Sequence, residues 1–409
     1  MNLLTPPARF AASARSIRQA TVLALFLASP AAPPAHGQDP ANAPLREVRE
    51  ILRLGDAVDV PDWLTFAAEP RLMLDASGRL FVVPGNDPRI RVLDSVGEFI
   101  RYIGNRGTGP GEFSYLYRTG FAGDTLWAQD MFAARTSFFD STGAHIRTDA
   151  NTGQPEMGSG YATKMPLAEG RQLVVGPPGE AGEGQRARMA VAIGPRDESR
   201  ADTVASVLES TAMEIEGVGS FAHRLVAAPP VPARSPDGSG VVVVDWDIDL
   251  PDRVAVRRYG LNGRLTAEST LDFELREIPA DVREAYIEEG IAMFRRTAEA
   301  LPETVGRQVP ANLRAAVIRG SIIPDYYPPI ATVFVTHEGR VWLRMTASGE
   351  DDEVSDWLVV GPDGAPEFRV SAPPGVTFRA AQGDRVWGTG KTEMDIPYIV
   401  LYEVGPSRG

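Results

Sequence analysis

An all-β chain built from repeated four-stranded sheets is what this sequence predicts, on three observations. Second-strand segments begin at residues 79, 125, 171, 240, 340 and 385, so three of the five intervals are 45 or 46 residues. Gly 40 and Pro 34 make about 18% of 409 residues, the turn load expected of many short strands. Residues 46–53 read as a strand with no hairpin partner, while the last repeat supplies only three strands; joining the two removes two open edges. A closed ring of such sheets is a β-propeller, here six-bladed with four-stranded antiparallel blades, sealed by the N-terminal strand joining the last blade. Two separate β-sandwich domains are the alternative, but a sandwich requires no fixed period near 46.

Taken in order, the chain opens with Arg9, Arg15 and Arg18 before an uncharged apolar run (ATVLALFLA, residues 20–28) and then small and Pro residues. Basic, apolar and small-residue regions in that order read as a signal peptide over residues 1–37, cut before Gln38. The apolar run is about half the ~20 residues a membrane span needs, and no later segment is long and apolar enough to cross a membrane. The expectation is an exported soluble chain, periplasmic or secreted. Residues 38–44 (QDPANAP) read as a flexible linker, and the propeller occupies 45–405.

The first repeat alternates β-rich runs with turns at Gly78 and Gly97, and the second repeats the pattern around Gly123 and Gly143. The longest interval contains a helical insertion, residues 276–329, between blades 4 and 5. There Asp281 and Glu284 have capping-box spacing, and Ile287, Ile291, Phe294, Ala298 and Leu301 form one apolar stripe. A second short helix ends at Gly320. Both a lid and a packing embellishment suit such a pair. Trp127, Trp342 and Trp387 hold the same place in three second strands, which argues for packing between sheets.

Residues 89–104 (RIRVLDSVGEFIRYIG) followed by 107–113 (GTGPGEF) resemble an NHL-type repeat of secreted bacterial six-bladed β-propellers. That resemblance implies the fold and little chemistry, since one fold hosts lyases, lactonases and binding modules. The Gly-rich segment itself reads as a turn between blades. Pro110 removes a donor that a phosphate cradle would use, and a strand rather than a helix follows.

Charge and composition exclude several classes. Lys+Arg 41 against Asp+Glu 54 gives −13, and removing residues 1–37 leaves −16, so nucleic acid is a poor partner. Without cysteine there are no disulfides, thiolate metal sites or thiol nucleophiles. His145, His223 and His337 fall in different repeats, so a zinc site has no local pattern. Asp245, Asp247 and Asp249 alternate like the opening of a calcium loop and are the candidate metal ligands, although Leu250 and Val256 stand where the loop wants Gly and Glu. Asp130 and Asp245 each end a second strand, where a carboxylate bonds the next turn. Arg118, Asp247, Tyr327, Arg344 and Lys391 lie at predicted strand ends or loops of one face and are the candidate ligand-binding residues for a polar or zwitterionic ligand. The expected function is a non-catalytic module that binds a protein partner or small polar ligand on its insertion-bearing face, with no cofactor required. The alternative is a calcium-dependent, lactonase-like hydrolase or lyase with its metal in the central channel.

Overall fold

In the computed structural model, the structure describes residues 37–57, 60–66, 68–85, 87–150, 163–176, 188–196, 201–208, 212–215, 219–222, 232–300, 312–320, 323–346 and 354–407. Each sheet is a meander in which turn residues separate short β-branched and aromatic runs. The first comprises Arg71–Leu74, Leu80–Val83, Ile90–Leu93 and Phe99–Ile103. The second comprises Leu116–Ala122, Thr125–Asp130, Arg135–Phe139 and His145–Ala150. The third runs from Thr163–Pro166 to Asp202–Leu208, and the fourth from Ala233–Arg234 to Leu265–Asp272. Gly78, Gly97 and Gly143 adopt positive φ in the tight turns, a conformation that costs glycine nothing.

The remaining strands form one eight-stranded sheet. Ile330–Val335, Val341–Met345, Ser355–Val360 and Pro366–Ala372 make one half; Thr377–Gln382, Arg385–Lys391, Pro397–Ser407 and the N-terminal strand Leu45–Leu54 make the other. The N-terminal strand pairs antiparallel with the C-terminal one, from Arg46 opposite Ser407 to Leu54 opposite Ile399. Its start also pairs in parallel with the other half, Leu45 opposite Arg369 and Arg46 opposite Val370, which fuses the halves.

Neighbouring sheets pack face to face in a cycle, giving a propeller-like arrangement. Phe81 and Val92 of the first meet Phe121 and Leu126 of the second. Leu173 and Ile193 of the third meet Val241 and Val243 of the fourth. Val244 and Val256 of the fourth meet Val341 and Leu358. Trp342 and Phe368 meet Phe378 and Tyr402 across the two halves of the large sheet. Ala380 and Leu401 then meet Leu72 and Leu80 of the first. The seam between second and third sheets is more polar: Gln129 donates to the Lys164 carbonyl at 2.9 Å, and the Arg196 guanidinium lies 4.8 Å from the Phe138 ring centre.

Two expectations need adjusting. Residues 38–44, expected as a flexible linker, are strapped onto the sheets. Gln38 donates to Thr270 O at 2.9 Å and accepts from Asp272 N at 3.1 Å, Ala43 is buried, and Pro44 O accepts from Arg369 N at 2.8 Å. The composition is that of a linker, but the backbone groups pair regardless of side chain. The helices of the insertion are α1 at Ala280–Ala300 and α2 at Leu313–Gly320. Ile287, Ile291 and Phe294 of α1 bury against Leu313, Ala316 and Val317 of α2. However, Asp281 lies inside the first turn rather than capping it, and Glu284 reaches sideways to Arg314 across the two helices at 2.5 Å.

Candidate functional site

The first strands of successive sheets face one another around a cavity of about 600 Å³. Arg71, Leu72 and Met73 come from the first sheet, Tyr117, Arg118 and Thr119 from the second, Met165 from the third, Arg234 from the fourth, and Arg379 from the large sheet. Glu69 and Pro70, just before the first sheet, and Trp127 complete the wall. Four arginines therefore meet one carboxylate.

Each arginine is held differently. Arg379 donates to Thr389 Oγ1 at 3.0 Å and also hydrogen-bonds Glu69, which accepts the Thr389 hydroxyl as well. Burial opposes ionisation of Glu69, but the bonds from Thr389 and Arg379, with the Arg379 and Lys391 charges, outweigh it and hold the carboxyl below its ordinary value. Arg71 donates to Leu116 O at 3.2 Å, across to the second sheet. Arg118 rests on its neighbour, 4.3 Å above the Tyr117 ring centre, and no hydrogen bond or ion pair to it occurs among the described residues. Burial lowers its pKa.

Arg234 lies deeper. Its strand partner is Val241, at the start of the second strand, and it reaches the carbonyls of Thr119, Phe121 and Pro166 at 3.3–3.4 Å. Its guanidinium sits 4.7 Å from the Trp127 ring centre. Burial, followed by the nearby Arg118 charge, pushes Arg234 down to about 10. It is still a cation at neutral pH, with neutral carbonyls and an aromatic face for company. An anion entering the cavity would relieve both the desolvation and the repulsion between arginines.

Of the sequence candidates, Arg118 lines the cavity. Arg344 lies beside it: burial lowers its pKa, Arg379 lowers it further, and Glu69 opposes. Lys391 ends its strand at the edge, pairing with Asp395 at 3.3 Å while its charge reaches Glu69. Tyr327 sits at the root of the insertion, its N–H on Arg276 O at 2.9 Å and its ring under the Arg276 guanidinium. Asp247 is exposed in a hairpin turn and accepts from Asp249 N at 3.0 Å. Asp245 does not bond the turn; its two oxygens accept from Arg188 at 2.9 Å and Arg257 at 2.8 Å. Among the described residues no three His, Asp or Glu side chains gather as a cation site. Asp130 does bond its turn. His223 lies outside the described residues.

Sequence reasoning passed over Glu69, Arg71, Arg234 and Arg379. Their shared signal is weak but present: Arg71 opens the first strand of its sheet, and Arg379 follows two residues after the opening of its own.

No protein-family model matches the chain, and no curated protein matches it by sequence. Among solved structures it is similar to a Bacteroides fragilis protein described as exported (11% identity, TM-score 0.47, covering 88% of this chain and 96% of that one). A member of the DUF4221 family from Bacteroides vulgatus is similar at 9% identity and TM-score 0.47, covering 88% of this chain and 99% of that one. The calcium-binding protein regucalcin from Agrobacterium tumefaciens is similar at 12% identity and TM-score 0.38, covering 88% and 96%. Likeness at this level carries nothing about chemistry. No helix among the described residues is long and apolar enough to cross a membrane.

Proposed function

We propose that this chain is an exported, non-catalytic propeller that binds a small anionic molecule in its central cavity. The eight-stranded sheet counts as two blades fused by the N-terminal strand, which makes six, and the repeats are of NHL type. The observation that supports the function is the charge of the wall: Arg71, Arg118, Arg234 and Arg379 line the cavity, Arg344 and Lys391 stand beside it, and Glu69 is the one carboxylate in the lining. This concentration is set in a chain of net charge −13. Fixed guanidinium forks suit carboxylate or phosphate better than any other small ligand chemistry. The insertion enters and leaves the sheets at the end where Arg118 and Arg344 stand, so α1 and α2 belong to the ligand-bearing face.

A thermal melt titrated with malonate, citrate and phosphate tests this. A ligand at 100 times its dissociation constant stabilises by about 2.7 kcal/mol, and Arg118→Ala should remove most of that gain while leaving the unliganded midpoint nearly unchanged. No midpoint shift with any anion, together with no effect of Arg118→Ala on binding, overturns the proposal. A midpoint raised by calcium and lowered by chelator would instead favour the alternative, a calcium-dependent, lactonase-like hydrolase or lyase with its metal in the central channel.

A further inference from the structure

Beside the cavity, two aromatic rings are held in water. Tyr115 precedes the first strand of the second sheet and Phe132 follows that sheet's second strand. Their ring centres are 5.3 Å apart, yet Tyr115 is 41% and Phe132 72% exposed. Such exposure gives up the stabilisation that burying either ring would bring.

The backbone beneath them is tightly fixed. Asp130 is fully buried, and its carboxylate accepts from Ser114 N at 2.6 Å, Tyr115 N at 3.3 Å, and Phe132 N and Ala133 N at 3.1 Å. Met131 N adds a bond to Tyr115 O at 3.1 Å, and Ala134 takes a φ of 46°, in the left-handed region that non-glycine residues seldom adopt. One buried carboxylate thus clamps both segments, and the rings are pinned without being covered.

The pair is continuous with the cationic wall. Arg71 bonds the carbonyl of Leu116, next to Tyr115. Tyr117, two residues on, lines the cavity with Arg118, and Leu72, Met73 and Met165 add apolar surface inside it. We infer that the ligand is an amphipathic anion, whose acidic group meets the arginines and whose aromatic or other planar apolar body lies over Tyr115 and Phe132. This rests on the anion-binding reading and specifies its ligand class.

Calorimetric titration of the full chain with paired acids tests it. Phenylacetate, 3-phenylpropionate and 5-phenylvalerate are compared with acetate, propionate and valerate. At one chain length or more, the ring should tighten binding about tenfold. In the double variant Tyr115→Ser, Phe132→Ser that advantage should disappear, so that the two series bind alike. Both side chains are exposed, and an unchanged melting midpoint verifies that the variant folds. Wild-type protein that binds both series equally, or a double variant that keeps the full advantage, overturns the inference and leaves anion binding intact. If no acid of either series binds and Arg118→Ala alters nothing, the anion-binding reading itself has failed.

Discussion

Trp127 and Trp342 occupy the same position in the second strands of their sheets, and their surroundings could hardly differ more. The residue directly across the strand pair is Phe334 for Trp342 and Gly120 for Trp127. Opposite Phe334, the indole stacks at 5.4 Å and 15°, with Trp357, Phe368 and Phe378 closing around it in an aromatic core. Opposite Gly120, the missing side chain leaves a slot, and the Arg234 guanidinium lies in it over the Trp127 face. Trp387 is intermediate, with Ala380 as its partner and an aliphatic cluster around it. One cross-strand residue therefore decides whether the same tryptophan belongs to the core or to the floor of a charged cavity.

Substitutions can break that contrast at either end. Trp342→Ala should cost the most, about 3–5 kcal/mol in a denaturant titration, without altering anion affinity. Gly120→Ala comes next. A Cβ there collides with the Arg234 guanidinium and comes 2.7 Å from Trp127 Cζ2, so about 1–3 kcal/mol of stability should go. Unlike Trp342→Ala, it should also weaken malonate binding, because the guanidinium is displaced. The smallest effect concerns Glu69. Its carboxyl is held below the ordinary value of 4.5, so its ionised form stabilises the fold above that pH, and the contribution is lost as the pH falls through the lowered value. Glu69→Gln should flatten the fall in melting midpoint below about pH 4.5; an unchanged acid slope would place its stabilising role elsewhere.

The sheets were legible because alternation and turn chemistry are local. So was the pairing of the two chain ends, which follows from one repeat being a strand short while a strand stands unpaired at the other end. Arg118 and Arg344 were singled out from their places at strand ends, and the first lines the cavity with the second beside it. Arg71, Arg234 and Arg379 were not, because each looks like an ordinary strand-flanking arginine. Only the ring brings residue 71 beside residue 379, and no window of sequence contains that meeting. The partners of Asp245 are hidden for a related reason: Arg257, two residues beyond its cross-strand partner Ala255, and Arg188 from the adjoining sheet take up its carboxylate. The strap of residues 38–44 escaped because main-chain bonding carries no compositional mark.

The pairing of Arg46 with Ser407 also sets an order of events. The clasp joins Arg49 to Glu403, 354 residues further along, so it cannot shut before the polypeptide between them has been made. Contacts separated by almost the whole polypeptide are slow to form.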